Sequence, residues 1–228
     1  LAAAGMPARV LARDAARLPR HANITAVQGD LLDSVALGRL CEGAQSVLHV
    51  AGAISGTAAQ MQRVNVEGTI AVLRASDRAG VKRLVHLSSL AAREPHLSAY
   101  GHSKAEGERA VKAAARGISS IIIRPPAVYG DGDKATLPLL KALTAKTALL
   151  PGTAAARFSL IHARDLARIC ISALTSPIED TREVDDGHGA YTWKDVADTL
   201  RSMCGRPARV TFLPRALAMA VGHVADGL

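Results

Sequence analysis

Tyr100 and Lys104 have the residue types and the spacing of an acid/base pair. They stand four residues apart in the segment Tyr100-Gly101-His102-Ser103-Lys104, which places both side chains on one face of a helix. A free tyrosine titrates near pH ~10, and a neighbouring ammonium group favours its phenolate form. The pair can therefore exchange a proton with a substrate hydroxyl or carbonyl oxygen near neutral pH.

Two serines precede this pair at the end of an apolar run. The run Leu84–Leu87 predicts a buried strand, and Ser88 and Ser89 follow it directly. Ligands bind at the carboxyl edge of the strands in open α/β sheets. A serine hydroxyl at that edge can therefore hydrogen-bond a reacting oxygen. The alternative interpretation is that the two serines cap the end of the strand.

Asn65 is the one polar side chain on the apolar stripe of a helix predicted from Ala58 to Ala79. The start of this helix is marked by a capping box, Thr57 with Gln60. A buried asparagine must find hydrogen-bond partners. Asn65 therefore either ties segments of backbone together or takes part in a site. The stripe consists of Met61, Val64, Asn65, Gly68 and Val72.

Short apolar runs alternate with helical patterns along the first half of the chain. This alternation predicts an α/β fold, a doubly wound parallel sheet with right-handed crossovers. A dinucleotide-binding sheet normally opens with a strand, a Gly-rich turn and a helix. Because residues 1–5 resemble only the tail of that helix, we expect the first strand and the Gly-rich loop to precede residue 1. The predicted strands are Arg9–Ala12, Ile24–Val27, Ser46–Val50, Leu84–Leu87 and Ser120–Ile123.

The composition narrows the possible functions. The chain has 228 residues, a formal net charge of +8 and 3% aromatic residues. Its basic residues are scattered, and it has few aromatic side chains on which nucleic-acid bases could stack. Both features disfavour nucleic-acid binding. No apolar run is long enough to span a bilayer. The three cysteines form no cluster that predicts a disulfide framework or a metal site, and a cytoplasmic location is the default expectation.

The order of these motifs resembles that of the short-chain dehydrogenases/reductases, in particular the extended or atypical branch that includes the NAD-dependent epimerase/dehydratase family. The strand, the serine pair and Tyr-x-x-x-Lys carry the resemblance at residues 84–104. It implies a Rossmann-type doubly wound sheet with a small C-terminal substrate lobe. Supporting segments along nearly the whole chain are residues 47–52 (VLHVAG), 65–69 (NVEGT), 124–130 (RPPAVYG) and 158–166 (FSLIHARDL).

The resemblance also implies roles for individual residues. Tyr100 would be the acid/base, and Lys104 would hold the ribose hydroxyls of the cofactor and favour the phenolate. Ser89, with Ser88 as the weaker alternative, would orient the substrate oxygen. Asn65 matches the structural and catalytic asparagine of the family. The residues that would line the cofactor further along the chain are Val50, Ala51, Gly52, Pro125, Ala127 and Val128.

The residues after the first predicted strand favour NADP(H) as the cofactor. At this position an acidic side chain binds the ribose 2′-hydroxyl of NAD, whereas an arginine accommodates the 2′-phosphate of NADP. Arg13 occupies the position and Arg17 lies one turn beyond it. Asp14 keeps NAD possible, because a slip of one residue would place it there. Asp30 and Leu31 resemble the segment that contacts adenine, although Asp30 is equally an ordinary turn residue.

These observations predict an NADP(H)-dependent oxidoreductase or epimerase/dehydratase that acts by hydride transfer on a hydroxyl or carbonyl substrate. The short spacer between Ser89 and Tyr100 disfavours a nucleotide sugar, because many sugar-nucleotide enzymes of this branch carry an insertion there. The alternative is a non-catalytic NADP(H)-binding regulator or accessory subunit. Such proteins typically lose the tyrosine or the lysine, and this chain keeps both Tyr100 and Lys104.

The resemblance also suggests a homodimer through the helices near residues 58–79 and 98–116, with Gly68, Ala71 and Ala75 allowing close helix approach. We predict a nucleotide-binding part at residues 1–125 with about 158–175, and a substrate-binding lobe at 126–157 and 176–228.

Overall fold

The computed structural model describes residues 4–18, 20–114, 117–133, 136–144, 147–150, 153–204 and 209–212. The chain divides into two compact units, one made of residues 1–124 and 169–182 and the other of residues 125–168 and 183–228. Residues 213–228, which the sequence assigns to the substrate-binding lobe, lie outside the described residues.

Most strands are short apolar runs. In chain order they are β1 (Ala8–Ala12), β2 (Ile24–Gln28), β3 (Ser46–His49), β4 (Arg83–Leu87), β5 (Ser119–Arg124), β6 (Ala127–Tyr129), β7 (Thr147–Leu150), β8 (Arg157–Phe158), β9 (Leu160–His162), β10 (Thr181–Glu183), β11 (Tyr191–Thr192) and β12 (Arg209–Phe212).

Helices connect these strands, and none of the described helices is both long and apolar enough to cross a bilayer. They are α1 (Ser34–Cys41), α2 (Ala58–Met61), a π-helical segment (Gln62–Glu67), α3 (Gly68–Arg78), α4 (Ala99–Ala114), α5 (Leu137–Ala142), α6 (Ala163–Ala173) and α7 (Trp193–Cys204).

Parallel strands form the framework of the first unit. Strands β3, β4 and β5 pair in parallel within a four-stranded sheet of order β10-β5-β4-β3. Strands β1 and β2 form a separate parallel pair. All five strands predicted from apolar runs are present within one residue of their predicted ends. The predicted Rossmann-type α/β sheet is therefore confirmed. The prediction from apolar runs works because strands of a parallel sheet are covered by helices on both faces and are therefore apolar throughout.

The helix predicted from Ala58 to Ala79 is one continuous helix that contains a π-helical segment. Its capping box is present, because Thr57 and Gln60 exchange side-chain and backbone hydrogen bonds. It begins as α2, passes into the π-helical segment and continues as α3. A single π-helical turn inside an α-helix often marks a functional position, and Asn65 lies within this one.

Helices α1, α3 and α4 pack against β4 and β5 around one apolar cluster. Ala75 is 2% exposed in this cluster, and a Cβ atom added to Gly68 would lie 2.9 Å from Leu31 Cδ1. Ala71 packs against the same cluster. These small residues therefore serve the packing of the unit itself. Gly68 and Ala75 are buried within the unit, and the homodimer itself stays a prediction.

The second unit is built from three strand pairs. Strands β6 and β9 are parallel, as are β7 and β12, whereas β8 and β11 are antiparallel. The division into units places residues 158–168 here, whereas the sequence suggested the nucleotide-binding part for them. Trp193 packs against Phe158 with ring centroids 4.5 Å apart, beside a buried apolar cluster. Trp193 is thus a core residue of this unit.

A buried arginine holds two distant parts of the first unit together. Arg83, at the start of β4, is 6% exposed. Its guanidinium donates to Ala173 O at 3.1 Å, to Ile178 O at 2.8 Å and to Ser119 Oγ at 2.7 Å. One side chain thereby holds the end of α6 and the chain leading to β10 against the sheet.

We expect Arg83→Met to lower the free energy of unfolding by about 3 kcal/mol, because it removes charge-assisted hydrogen bonds and leaves two carbonyl oxygens without a donor. Urea denaturation of the purified variant measures this. Arg74→Met, which changes an exposed arginine of α3, should leave the midpoint nearly unchanged. Equal losses in the two variants would contradict the role given to Arg83.

Candidate active site

Helix α4 carries Tyr100 and Lys104 on one face, as the four-residue spacing predicts. Tyr100 is partly exposed, whereas Lys104 is 5% exposed. The Lys104 ammonium donates to Leu87 O at 2.7 Å, at the last residue of β4. The lysine therefore joins the helix that carries the tyrosine to the strand end that carries the two serines.

Burial dominates the electrostatics of Lys104. Loss of solvent lowers its pKa from the usual 10.5 to about 8, and the negative charge of Glu108 acts in the opposite direction. The ammonium therefore remains mostly protonated at neutral pH in a place where water cannot solvate it. It has three N–H bonds, and Leu87 O accepts one of them, so two find no acceptor among the described residues and can serve a ligand.

The two serines have different partners. Ser88 is buried, and its hydroxyl donates to Glu108 Oε1 at 2.5 Å. Ser89 accepts a hydrogen bond from Ala91 N at 3.2 Å as the N-cap of a 3₁₀ turn, Leu90–Arg93. A hydroxyl that accepts from a backbone N–H keeps its own proton free to donate. Ser89 can thus serve a substrate oxygen while it caps the turn, and Ser88 cannot do so without giving up Glu108.

Glu108 also binds the guanidinium of Arg124, which is the last residue of β5. Arg124 Nε and Nη2 lie 2.8 and 2.7 Å from the two carboxylate oxygens. Sequence reasoning missed this carboxylate, although Tyr100, Lys104 and Glu108 follow each other at intervals of four residues. That interval was the available signal.

The Asn65 side chain joins its own helix to Ala53 and to Ser103. Its Oδ1 accepts from Ala53 N at 2.7 Å, and its Nδ2 donates to Ala53 O and to Ser103 Oγ, both at 2.9 Å. Ser103 in turn donates to Tyr100 O at 2.9 Å. Asn65 therefore links the loop after β3 to the first turn of α4, which is the tying role that the sequence left open.

Two buried histidines, His49 on β3 and His86 on β4, lie near Lys104. The sequence analysis singled out neither of them. The Thr69 hydroxyl donates its proton to Asn65 O at 2.7 Å, so it must accept from His49 Nε2 at 3.0 Å. Burial, with Lys104 nearby, lowers the pKa of His49 to about 4 and moves the pKa of His86 down as well. The ring nitrogens of His86 have no hydrogen-bond partner among the described residues. Both rings are therefore neutral at pH 7.

The loop after β3 is open to a ligand that approaches the backbone. Val50, Ala51 and Gly52 are exposed. A Cβ atom added to Gly52 would lie 3.1 Å from Asn65 Oδ1 and 3.7 Å from Lys104 Nζ. A side chain at this position would crowd the site, whereas glycine leaves the backbone accessible beside the ammonium. This cradle fits the cofactor that the sequence predicts.

The residues after β1 also fit an anionic group. Asp14 caps the 3₁₀ turn Ala15–Arg17 by accepting from Ala16 N, and its carboxylate lies 3.1 Å from Arg17 Nε. Arg13 is exposed. The only carboxylate that could replace Arg13 after a one-residue slip is thus engaged locally, as a turn cap and an ion-pair partner.

The remaining predicted cofactor residues have mixed placements. Asp30 accepts from Leu32 N at 2.8 Å, which is a turn contact. Leu31 packs against the apolar cluster of the first unit. Pro125, Ala127 and Val128 belong to the second unit, where Pro125 is buried and Ala127 is exposed in β6. Their contact with a cofactor stays a prediction.

The sequence and the fold are similar to those of known proteins. A model of the NAD dependent epimerase/dehydratase family matches residues 1–184. The ceramide reductase of Caulobacter vibrioides is 38% identical over 231 aligned residues, which cover 99% of this chain and 72% of that protein. The 3 beta-hydroxysteroid dehydrogenase/Delta 5-->4-isomerase of Mycobacterium tuberculosis is 29% identical, and the match covers 72% of this chain and 52% of that protein.

Solved structures share the fold. MoeE5 in complex with UDP-glucose and NAD matches with a TM-score of 0.78 and 21% identity, over 92% of this chain and 78% of that one.

We expect the burial of Lys104 to make stability depend on pH. Because its pKa is about 8 in the folded chain and about 10.5 when exposed, the unfolded state binds more protons between these values. Stability therefore rises with pH across this window, and the penalty of the buried ammonium is complete below it. Relative to Lys104→Met, the wild type should gain about 3 kcal/mol between pH 7 and pH 10.5.

Urea denaturation of the two proteins at a series of pH values measures this gain. Lys112→Met, an exposed lysine on the same helix, is the control and should show a flat difference. A flat difference for Lys104→Met as well would contradict the burial of the ammonium.

Proposed function

This chain belongs to the NAD-dependent epimerase/dehydratase family of short-chain dehydrogenases/reductases, and we propose that it is an NADP(H)-dependent reductase of a lipid ketone. Family membership makes it an oxidoreductase-type enzyme that uses a nicotinamide cofactor. The choice of cofactor, the roles of the site residues and the substrate class are the proposal.

One observation carries the proposal. The partly exposed Tyr100 shares a helix face with a buried ammonium, and that ammonium is hydrogen-bonded to the residue just before the serine pair. A buried lysine adds little to stability, because burial of a charge lowers stability unless the charge is well compensated. A buried ammonium does, however, stabilise a developing negative charge more strongly than an exposed one, because the local dielectric constant is low.

The residues of the site divide the work of carbonyl reduction. The Ser89 hydroxyl donates a hydrogen bond that orients and polarises the substrate carbonyl. A bound nicotinamide cofactor would supply the hydride to the carbonyl carbon. Tyr100 gives its phenolic proton to the oxygen, and the Lys104 ammonium stabilises the phenolate that remains. The phenolate then takes a proton from solvent, and oxidation of an alcohol uses the same groups in reverse.

The proposed substrate is a large apolar molecule with a ketone or secondary hydroxyl. The ceramide reductase and the hydroxysteroid dehydrogenase are named for lipids of this kind, and the former is 38% identical along 99% of this chain. MoeE5, whose structure contains UDP-glucose, is only 21% identical. The short spacer between Ser89 and Tyr100 also disfavours a nucleotide sugar. We therefore favour ketone reduction over epimerase or dehydratase chemistry.

The second candidate, a non-catalytic NADP(H)-binding regulator, has no particular contact in its favour. It predicts cofactor binding without turnover, so one set of assays separates the two functions.

We expect the purified protein to oxidise NADPH when it is given a ketone analogue of ceramide in detergent micelles. Tyr100→Phe should lower kcat by about 10²-fold or more, because it removes the proton donor without removing the ring. Loss of NADPH absorbance measures the rate. Tyr129→Phe, in the second unit, should retain the wild-type rate.

Turnover of UDP-glucose instead of the ketone would overturn the substrate class. Cofactor binding without turnover of either compound would favour the regulator.

We expect NADPH to bind more tightly than NADH, and Arg13→Ala to remove this preference. Loss of one arginine–phosphate contact should raise the Kd for NADPH about 10- to 100-fold, whereas the Kd for NADH should change little. Titrations followed by nicotinamide fluorescence measure both. Arg20→Ala, an exposed arginine shortly before β2, should change neither Kd. NADH binding as tight as NADPH binding in the wild type would refute the cofactor choice.

A further inference from the structure

Glu108 is a buried carboxylate to which the proposed chemistry assigns no task. It is 3% exposed. Arg124 donates to it through Nε and Nη2 at 2.8 and 2.7 Å, and Ser88 donates through its hydroxyl at 2.5 Å. The carboxylate thus connects α4 to the ends of β4 and β5, the edge at which the site lies.

Glu108 and Lys104 hold adjacent residues at the end of β4. Lys104 Nζ donates to Leu87 O, and Glu108 accepts from the hydroxyl of the next residue, Ser88. The two side chains are four residues apart and therefore neighbours on one face of α4. Ser89, the proposed partner of the substrate oxygen, follows directly. One helix thus holds both of the residues that precede Ser89.

Stability alone does not account for a charged group in this place. Replacing a buried ion pair with apolar side chains of similar volume is often neutral or stabilising, because both charges lose their hydration. Apolar residues could hold α4 on β4 and β5 equally well. What they could not supply is a negative charge beside the Lys104 ammonium and an acceptor for the Ser88 hydroxyl.

We propose that Glu108 is a positioning residue that holds Ser88, and through it Ser89, at the end of β4 and places a negative charge next to Lys104 on the same face of α4. The inference rests on the proposed function, since it assigns Glu108 a part in that reaction, but its effect on Lys104 can be measured without turnover.

The groups that face Lys104 support a specific task for this carboxylate. Tyr100 lies on the same helix face, and His49 and His86 approach from β3 and β4. Burial lowers the pKa of both histidines, so both are neutral at pH 7 and neither changes the net charge around Lys104. Glu108 raises the pKa of Lys104 against the effect of burial. Arg124 binds the same carboxylate from the end of β5.

The test is a direct titration of Lys104 in the protein without cofactor. The protein is labelled with ¹³C-lysine, and the Lys104 signal is identified by its loss in Lys104→Arg. We expect Glu108→Gln to move the midpoint of the Lys104 titration down by about one pH unit. The matched control is Glu106→Gln on the same helix, whose carboxylate pairs with Arg109. It should leave the midpoint unchanged.

Arg124→Met provides a second test with the opposite sign. It removes the positive charge that offsets the negative charge of Glu108 at Lys104, so the Lys104 midpoint should rise. If Glu108→Gln does not fold, this variant still tests the proposal. A role confined to packing predicts no shift in either variant, and that result, or an equal shift in Glu106→Gln, would overturn the inference.

Turnover measurements separate the two parts of the role. In Glu108→Gln the alkaline limb of the kcat profile should move to lower pH with the Lys104 midpoint. Ser88→Ala should lower kcat without moving that limb, because the charge of Glu108 remains. A shifted midpoint in a protein that turns over no ketone would support the Glu108–Lys104 link and refute the proposed function instead.

Discussion

The burial of the Lys104 ammonium is the constraint on which the rest of the site depends. A charge with 5% exposure requires compensation from fixed groups, because water cannot supply it. Leu87 O and the negative charge of Glu108 provide part of this compensation. A nicotinamide cofactor with its ribose hydroxyls would provide more. The binding of such a cofactor would therefore relieve a cost that the free protein carries.

Close packing around α4 makes this burial possible. A Cβ atom added to Gly101 would lie 2.6 Å from Ala91 O, and one added to Gly107 would lie 2.8 Å from Asn65 O. Any side chain at either position would push the helix away from the 3₁₀ turn after Ser89 or from the π-helical segment. Glycine allows the contact, and the hydrogen bonds of Asn65 and Ser103 then fix it. The tyrosine is thereby held by its backbone, while its ring stays available.

The site contains groups that lower stability, and the apolar core around it offsets them. His86 has no partner for its ring nitrogens among the described residues, and unpaired buried polar groups cost about 1–3 kcal/mol each. Lys104 and the Glu108–Arg124 pair add desolvation costs of their own. The cluster of α1, α3 and α4 on β4 and β5 buries large apolar side chains such as Leu84 and Ile122. Such an excess of apolar burial permits polar groups under an active site.

The sequence by itself determined the parallel α/β sheet, the Tyr100–Lys104 pair and the strand end at Ser88, because each depends on local periodicity or spacing. It favoured Ser89 over Ser88 by resemblance alone, and the physical difference between the two hydroxyls comes from their partners Glu108 and Ala91 in the folded chain. It suggested Gly68 and Ala75 as points of close helix approach in a dimer, whereas the tertiary structure uses them in the packing of the unit itself. The sequence also did not predict the hydrogen bonds from Asn65 to Ala53 and from Arg124 to Glu108. Hydrogen bonds between segments distant in sequence leave no periodic trace, so only the folded chain shows which polar groups meet.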